Sequence, residues 1–191
     1  MRNDASCIHS VQPSHREAAL GELINPKPEM LEKDLSYRQE VRGADLDEVR
    51  EIVSSSGFFS EDEIGIAVVL VQEHLLQGEK SGYFFLFAEQ EGRVAGYTCY
   101  GPIPGSLHSY DLYWIAVQDR LRHAGIGKDL LARSEALIGQ RGGKRIYIET
   151  SSRPQYSTTL AFYRYSGYRE AAFLEDFYAP GDGKIVLVKV I

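Results

Sequence analysis

The run Arg122-His123-Ala124-Gly125-Ile126-Gly127-Lys128 follows a strand-like segment, Asp111 to Val117, and leads into a helix-like segment, Lys128 to Gln140. A strand, a glycine-bearing turn and a helix in that order present a helix N-terminus to solvent or to a ligand. The first turn of a helix leaves four backbone N–H groups without intrahelical partners, and the aligned peptide dipoles place positive potential there. Such a terminus suits a phosphate. Gly125 and Gly127 have no Cβ, so a ligand can reach the main chain.

Two phosphate loops fail the comparison. The P-loop pattern requires Ser or Thr after Gly-Lys, but Asp129 follows Lys128, and Arg122 stands where its first glycine belongs. The dinucleotide fingerprint keeps its first two glycines and meets Leu130 at the third.

Charge points the same way. The chain of 191 residues has a net charge of −6, which argues against nonspecific nucleic-acid binding. Between Gln118 and Arg145 the balance is +4, leaving −10 for the remainder. An acidic protein that gathers its positive charge around one glycine loop suits a compact polyanion. No apolar run reaches the roughly 18 residues of a membrane span, and the N-terminus lacks an apolar signal region. Two cysteines, Cys7 and Cys99, argue against a disulfide framework and fit a reducing cytoplasm. The five histidines are scattered, so no metal site is expected.

Residues 1–35 are polar and proline-bearing and read as a partly disordered leader, with a short helix expected at His15–Leu23. Residues 36–191 then read as one α/β domain. A strand is expected over Leu35–Arg42, helices over Ala44–Val53 and Glu61–Gln77, and a hairpin over Tyr83–Gln90 and Arg93–Gly101. Gly101 to Gly105 should break the structure. A strand over Tyr110–Val117, the helix after the glycine loop, a strand over Lys144–Thr150 and a helix over Ser157–Ser166 follow. Tyr168–Tyr178 and Lys184–Ile191 close the sheet. The helix after the loop should bury Ile126, Leu130, Leu131, Leu137 and Ile138.

Arg122, Gly125 and Gly127 form R-x-x-G-x-G after a strand. The pattern resembles the pyrophosphate-binding motif of the GNAT superfamily of acyl-CoA-dependent N-acetyltransferases. Thr159 to Tyr168 resembles a second family segment on the helix after the fifth strand. Phe162, Tyr163, Gly167 and Tyr168 match it, while Thr159 replaces the usual alanine. Tyr156 stands where many members carry an asparagine. The resemblance covers Ser36 to Ile191. It implies the GNAT fold, a mixed central sheet of about seven strands with flanking helices, and an acetyl-CoA-dependent enzyme acting on a small-molecule, amino-acid or peptide amine. The rival reading is a GNAT-fold module that binds acyl-CoA without turnover. Transfer of a longer acyl chain is a third possibility, and a homodimer formed at a sheet edge is compatible with each.

The resemblance also implies roles. Backbone amides of Arg122, His123, Ala124, Gly125, Ile126, Gly127 and Lys128 would hold the diphosphate. The main chain of Ile115, Ala116 and Val117 would pair with the pantetheine arm and polarise the thioester carbonyl. Tyr163 matches the tyrosine that protonates the departing thiolate, and Tyr165 should point elsewhere. Phe58 and Phe59 resemble the substrate lid. From the residues themselves, Glu149 ends an apolar strand, where open α/β sheets place ligands, and is the candidate general base. A salt-bridged structural role with an arginine is its alternative. Asp111 and Tyr113 are reserve candidates, and Tyr113 also stands with Phe58 and Phe59 at the acceptor site. The acids and aromatics of Glu175–Asp182 would suit a small cationic amine or form a solvated loop.

Overall fold

The computed structural model describes residues 35–191. The leader, its expected helix at His15–Leu23 and Cys7 lie outside the described residues. Seven strands form one sheet: β1 (Leu35–Arg38), β2 (Phe84–Gln90), β3 (Arg93–Pro102), β4 (Ser109–Val117), β5 (Arg145–Ser151), β6 (Arg169–Ala179) and β7 (Asp182–Val190). Among the described residues four α-helices flank it: α1 (Asp45–Ser55), α2 (Glu61–Gln77), α3 (Ile126–Gln140) and α4 (Ser157–Tyr165). The strand order is β1-β2-β3-β4-β5-β7-β6, and every pairing is antiparallel except β4 with β5.

Each face of the sheet carries its own core. Val49, Ile52 and Val53 of α1 and Ile64, Ala67 and Val71 of α2 pack on Phe85, Phe87, Tyr97 and Cys99 of β2 and β3. On the other face, Leu131 and Ile138 of α3 and Tyr163 of α4 pack on Leu112, Ile146, Ile148 and Leu187. The alternating burial of β5 follows from side chains that point to opposite faces in turn.

Local chemistry sets the element ends. β1 stops at Arg38, earlier than the expected Arg42, because the buried Asp45 carboxylate recruits the next segment: it accepts from the Arg42 N–H at 2.7 Å and from Arg38 Nη1 at 2.9 Å. That draws residues 39–44 into the turn that starts α1. α2 begins at a reciprocal cap in which the Ser60 N–H donates to Glu63 at 2.8 Å and the Glu63 N–H donates to Ser60 Oγ at 3.3 Å. This cap anchors the turn carrying Phe58 and Phe59. The expected break at Gly101–Gly105 comes one residue late, since Pro102 still pairs with Tyr110. Leu137 of α3 is only partly buried, and Ser134 lies inside instead, with its Oγ 2.7 Å from Thr98 Oγ1.

Two features open the sheet at its centre. The β3–β4 register passes from Cys99↔Trp114 to Tyr100↔Leu112, leaving Tyr113 as an extra residue in a β-bulge. The parallel β4–β5 pairing holds only from Ser109↔Arg145 to Asp111↔Tyr147. Beyond it the two strands separate, and a cleft of about 1040 Å³ lies between them.

Candidate active site

The cleft is built from the diverging ends of β4 and β5, the glycine loop, the α1–α2 turn and the inner face of α4. Tyr113, Ile115, Ala116 and Val117 line it from β4. Past Asp111, the edge of β4 that faces β5 has no strand partner among the described residues, so its backbone groups are free for another ligand. Any residue but proline can supply such groups.

At the far end of β4 stands the glycine loop. His123 and Gly125 have left-handed backbone, with φ of 64° and 87°. Turns of this kind build anion-binding nests of N–H groups. Gly125 is the N-cap of α3. Among the described residues, no hydrogen-bond acceptor is found for the N–H groups of His123 to Lys128, and the first helical bond is Asp129 N–H to the Gly125 carbonyl at 3.1 Å. A Cβ on Gly125 would meet no atom within 4 Å, so the space beside it is open. Unpaired amides, a helix dipole and open space together fit a diphosphate. Arg122, His123, Gly125, Ile126, Gly127 and Lys128 line the cleft, whereas Ala124 does not. Arg122 is turned toward Asp119, with Nη1 3.4 Å from its carboxylate, and its guanidinium lies 5.3 Å from the Phe58 ring centre.

Tyr163 lies on the α4 wall of the same cleft. Its ring is 4% exposed, and its hydroxyl has no hydrogen-bond partner among the described residues. Burial pushes its phenol above the ordinary range, so it stays protonated at neutral pH. Tyr165, two residues on, is 93% exposed and points away, as helical geometry requires.

Glu149 reaches the cleft from β5, but it is already paired. Lys184 Nζ lies 2.6 Å from its Oε2, and the ammonium also sits 3.8 Å from the Phe177 ring centre. The expected arginine partner is thus a lysine. Asp111 shares a sheet face with Glu149, because Asp111 pairs with Tyr147 in register and Glu149 is two residues further along β5. Asp111 is half-buried with no hydrogen-bond partner among the described residues. Its acid pKa is pushed up to about 6 by burial and then by the charge of Glu149. In the unfolded chain the same acid titrates near 4. The folded state therefore binds the extra proton between those values, and ionised Asp111 costs stability above pH 6. Asp111→Asn is expected to stabilise the chain by about 1 kcal/mol at pH 7.5 after allowance for solvent screening. Thermal melts at pH 7.5 and pH 4 check this, since the gain should vanish at the lower pH.

Phe58 and Phe59 form the opposite wall. Phe59 packs edge-on against Trp114 with ring centres 5.0 Å apart, so it belongs as much to the core as to the site. Phe58 is more exposed and approaches Tyr156, 6.4 Å between ring centres, across the cleft. Tyr178 and Asp182, from the segment expected to suit a cationic amine, line the cleft, and so do Glu63, Arg153 and Tyr156, which were not among the expected site residues. Tyr156 was visible in the sequence only as a departure from a motif, and Glu63 only as a residue of the second helix. Arg153 pairs with Asp182 at 3.0 Å across the start of β7, a contact between positions far apart in the chain.

The acetyltransferase (GNAT) family profile matches residues 46–168. The chain belongs to the GNAT family of acetyltransferases. A protein of this family from Desulfovibrio desulfuricans is 40% identical, with a TM-score of 0.81 over 82% of this chain and 98% of that one. The ribosomal-protein-S18-alanine N-acetyltransferase of Escherichia coli shares the fold at 21% identity, TM-score 0.66, covering 82% of this chain and 94% of its own. The PaiA N-acetyltransferase of Thermoplasma acidophilum, solved in complex with coenzyme A, shares it at 18% identity and TM-score 0.61, covering 82% and 99%. No match is found among curated proteins. The GNAT fold explains the split between β4 and β5, and the seven-stranded mixed sheet is the expected one. No described helix is long and apolar enough to cross a membrane. No group of three or more metal-ligating side chains occurs among the described residues.

Proposed function

We propose that the chain transfers an acetyl group from acetyl-CoA to a primary amine of a small molecule, amino acid or peptide, by direct attack within the cleft. One juxtaposition carries this reading: a set of unpaired amides and an unpaired tyrosine hydroxyl line the same cavity. Acetyl-CoA, when bound, supplies an activated thioester. The loop amides from His123 to Lys128 hold its diphosphate, and the free edge of β4 at Ile115 to Val117 orients its pantetheine arm. An N–H of that edge polarises the carbonyl. Tyr163 donates its proton to the sulfur that leaves.

The acceptor enters from the side of Phe58 and Tyr113. Glu149 takes the proton released as the amine attacks. Its contact with Lys184 fixes the carboxylate at the β5 wall of the cleft. The aromatic and acidic surroundings of the acceptor side suit an amine that arrives as a cation. The low cysteine content fits a reducing cytoplasm as the setting, and nothing in the composition suits nucleic acid. The sheet edges leave room for a homodimer.

Thiol release from acetyl-CoA, measured against a panel of amino acids, polyamines and peptide N-termini, tests the proposal. Release with at least one amine is expected. Tight CoA binding with no release for any amine would match a non-catalytic acyl-CoA sensor instead.

A further inference from the structure

Across the face that supports α3, one row of residues runs through four strands. Tyr37 pairs with Ala88, Ala88 with Gly96, and Gly96 with Val117. The middle of the row is small, and it has to be. A Cβ on Gly96 would lie 2.8 Å from the Ala116 carbonyl and 3.2 Å from Leu130 Cδ1 of α3. The phosphate helix therefore sits low over the sheet. Tyr37, at the end of the row, is the one large side chain in it besides Val117. Its hydroxyl donates to Asp129 Oδ2, a contact that joins residues 92 positions apart.

Asp129 is the only acid in the first turn of α3, the turn that carries the unpaired amides. Its carboxylate favours the bare helix dipole but opposes an incoming anion. Two groups hold it on one oxygen. Tyr37 is the first. Arg133 is the second, with Nε 3.1 Å from the same Oδ2 and its guanidinium 3.9 Å from the centre of the Tyr37 ring. Burial, and then the hydrogen bond to Asp129, push the Tyr37 phenol up to about 12, so it remains a donor throughout the useful pH range.

We infer that Tyr37 and Arg133 are positioning residues for the anion site: they hold the Asp129 carboxylate toward β1 and offset its charge, and so set the affinity of the glycine loop for a diphosphate. The inference rests on reading that loop as the CoA diphosphate site. Neither residue touches the cleft, whose lining includes neither Tyr37, Asp129 nor Arg133. Their effect should therefore fall on cofactor affinity and spare turnover.

The test is the Kd for CoA, by titration calorimetry of the full chain at low salt and at about 0.5 M salt, where the Debye length shrinks to a few ångströms. Tyr37→Phe and Arg133→Gln should each weaken binding about threefold or more, because a half-solvated charge is released near the site. Asp129→Asn should tighten binding by a similar factor while lowering the melting temperature. The double variant Tyr37→Phe with Asp129→Asn should bind like Asp129→Asn alone. All differences should shrink at high salt, with kcat unchanged where turnover is measured. If Asp129→Asn weakens binding as Tyr37→Phe does, or if Tyr37→Phe leaves the Kd unchanged, the inference is overturned while the loop assignment stands. A wild-type chain that does not bind CoA overturns the loop assignment itself.

Discussion

Gly125→Leu is expected to weaken CoA binding by about two orders of magnitude or more. Two costs combine. At φ 87° a side chain is strained by roughly 1–2 kcal/mol. The side chain would also enter the open space beside the loop and separate the diphosphate from amides whose charge-assisted bonds contribute about 1.5–3 kcal/mol each. Every 1.4 kcal/mol is about tenfold in Kd. A thermal melt separates the costs, because strain alone lowers the melting temperature by only a few degrees while the fold persists. Gly125→Ala should fall between, since a methyl group carries the strain but little of the obstruction.

Tyr163→Phe should lower kcat by about a hundredfold, within the usual range for loss of a general acid. Its Kd for CoA should be almost unchanged, because the phenyl ring keeps its packing against Phe162 and Tyr168. The raised phenol pKa adds a second mark: wild-type activity should show no loss from this group until well above pH 10. Tyr165→Phe is the control and should do nothing, since that ring is almost wholly exposed. Equal turnover for wild type and Tyr163→Phe across the pH range would remove the tyrosine from the mechanism.

What could be read from sequence follows a physical division. Elements set by local periodicity and local chemistry were legible. Glu61–Gln77 is a helix with the expected bounds, since a serine–glutamate cap starts it and Gly78 ends it. The strand, glycine loop and helix around Gly125 were legible for the same reason, and α3 begins two residues before Lys128 because Ile126 and Gly127 already take helical backbone after the left-handed Gly125. Features that depend on partners distant in the chain were not. The bulge at Tyr113 belongs to the β3–β4 register, and no property of Tyr113 announces it. The Lys184 partner of Glu149 comes from a strand 35 residues away, and Tyr37 reaches Asp129 across 92. The first strand was overextended because Asp45, a residue of the next helix, pulls the chain off the sheet edge.

The site divides in the same way. The backbone part of it, the loop and the β4 edge, was readable because glycine and strand patterns describe backbone. The side-chain part was readable where a motif carried it, as at Tyr163, or where a polar residue ended an apolar strand, as at Glu149. Glu63, Arg153 and Tyr156 meet the cleft through the packing of the α1–α2 turn and the β5–α4 turn, which no short window of sequence contains.

The central claim is that the N–H groups from His123 to Lys128 grip the diphosphate of CoA. Titration of the isotopically labelled chain with CoA, followed by amide chemical shifts, tests it most directly. The largest changes are predicted at Gly125, Ile126, Gly127 and Lys128, with smaller ones along Ile115 to Val117. Saturable CoA binding that leaves the loop amides unmoved and shifts another surface would contradict the account.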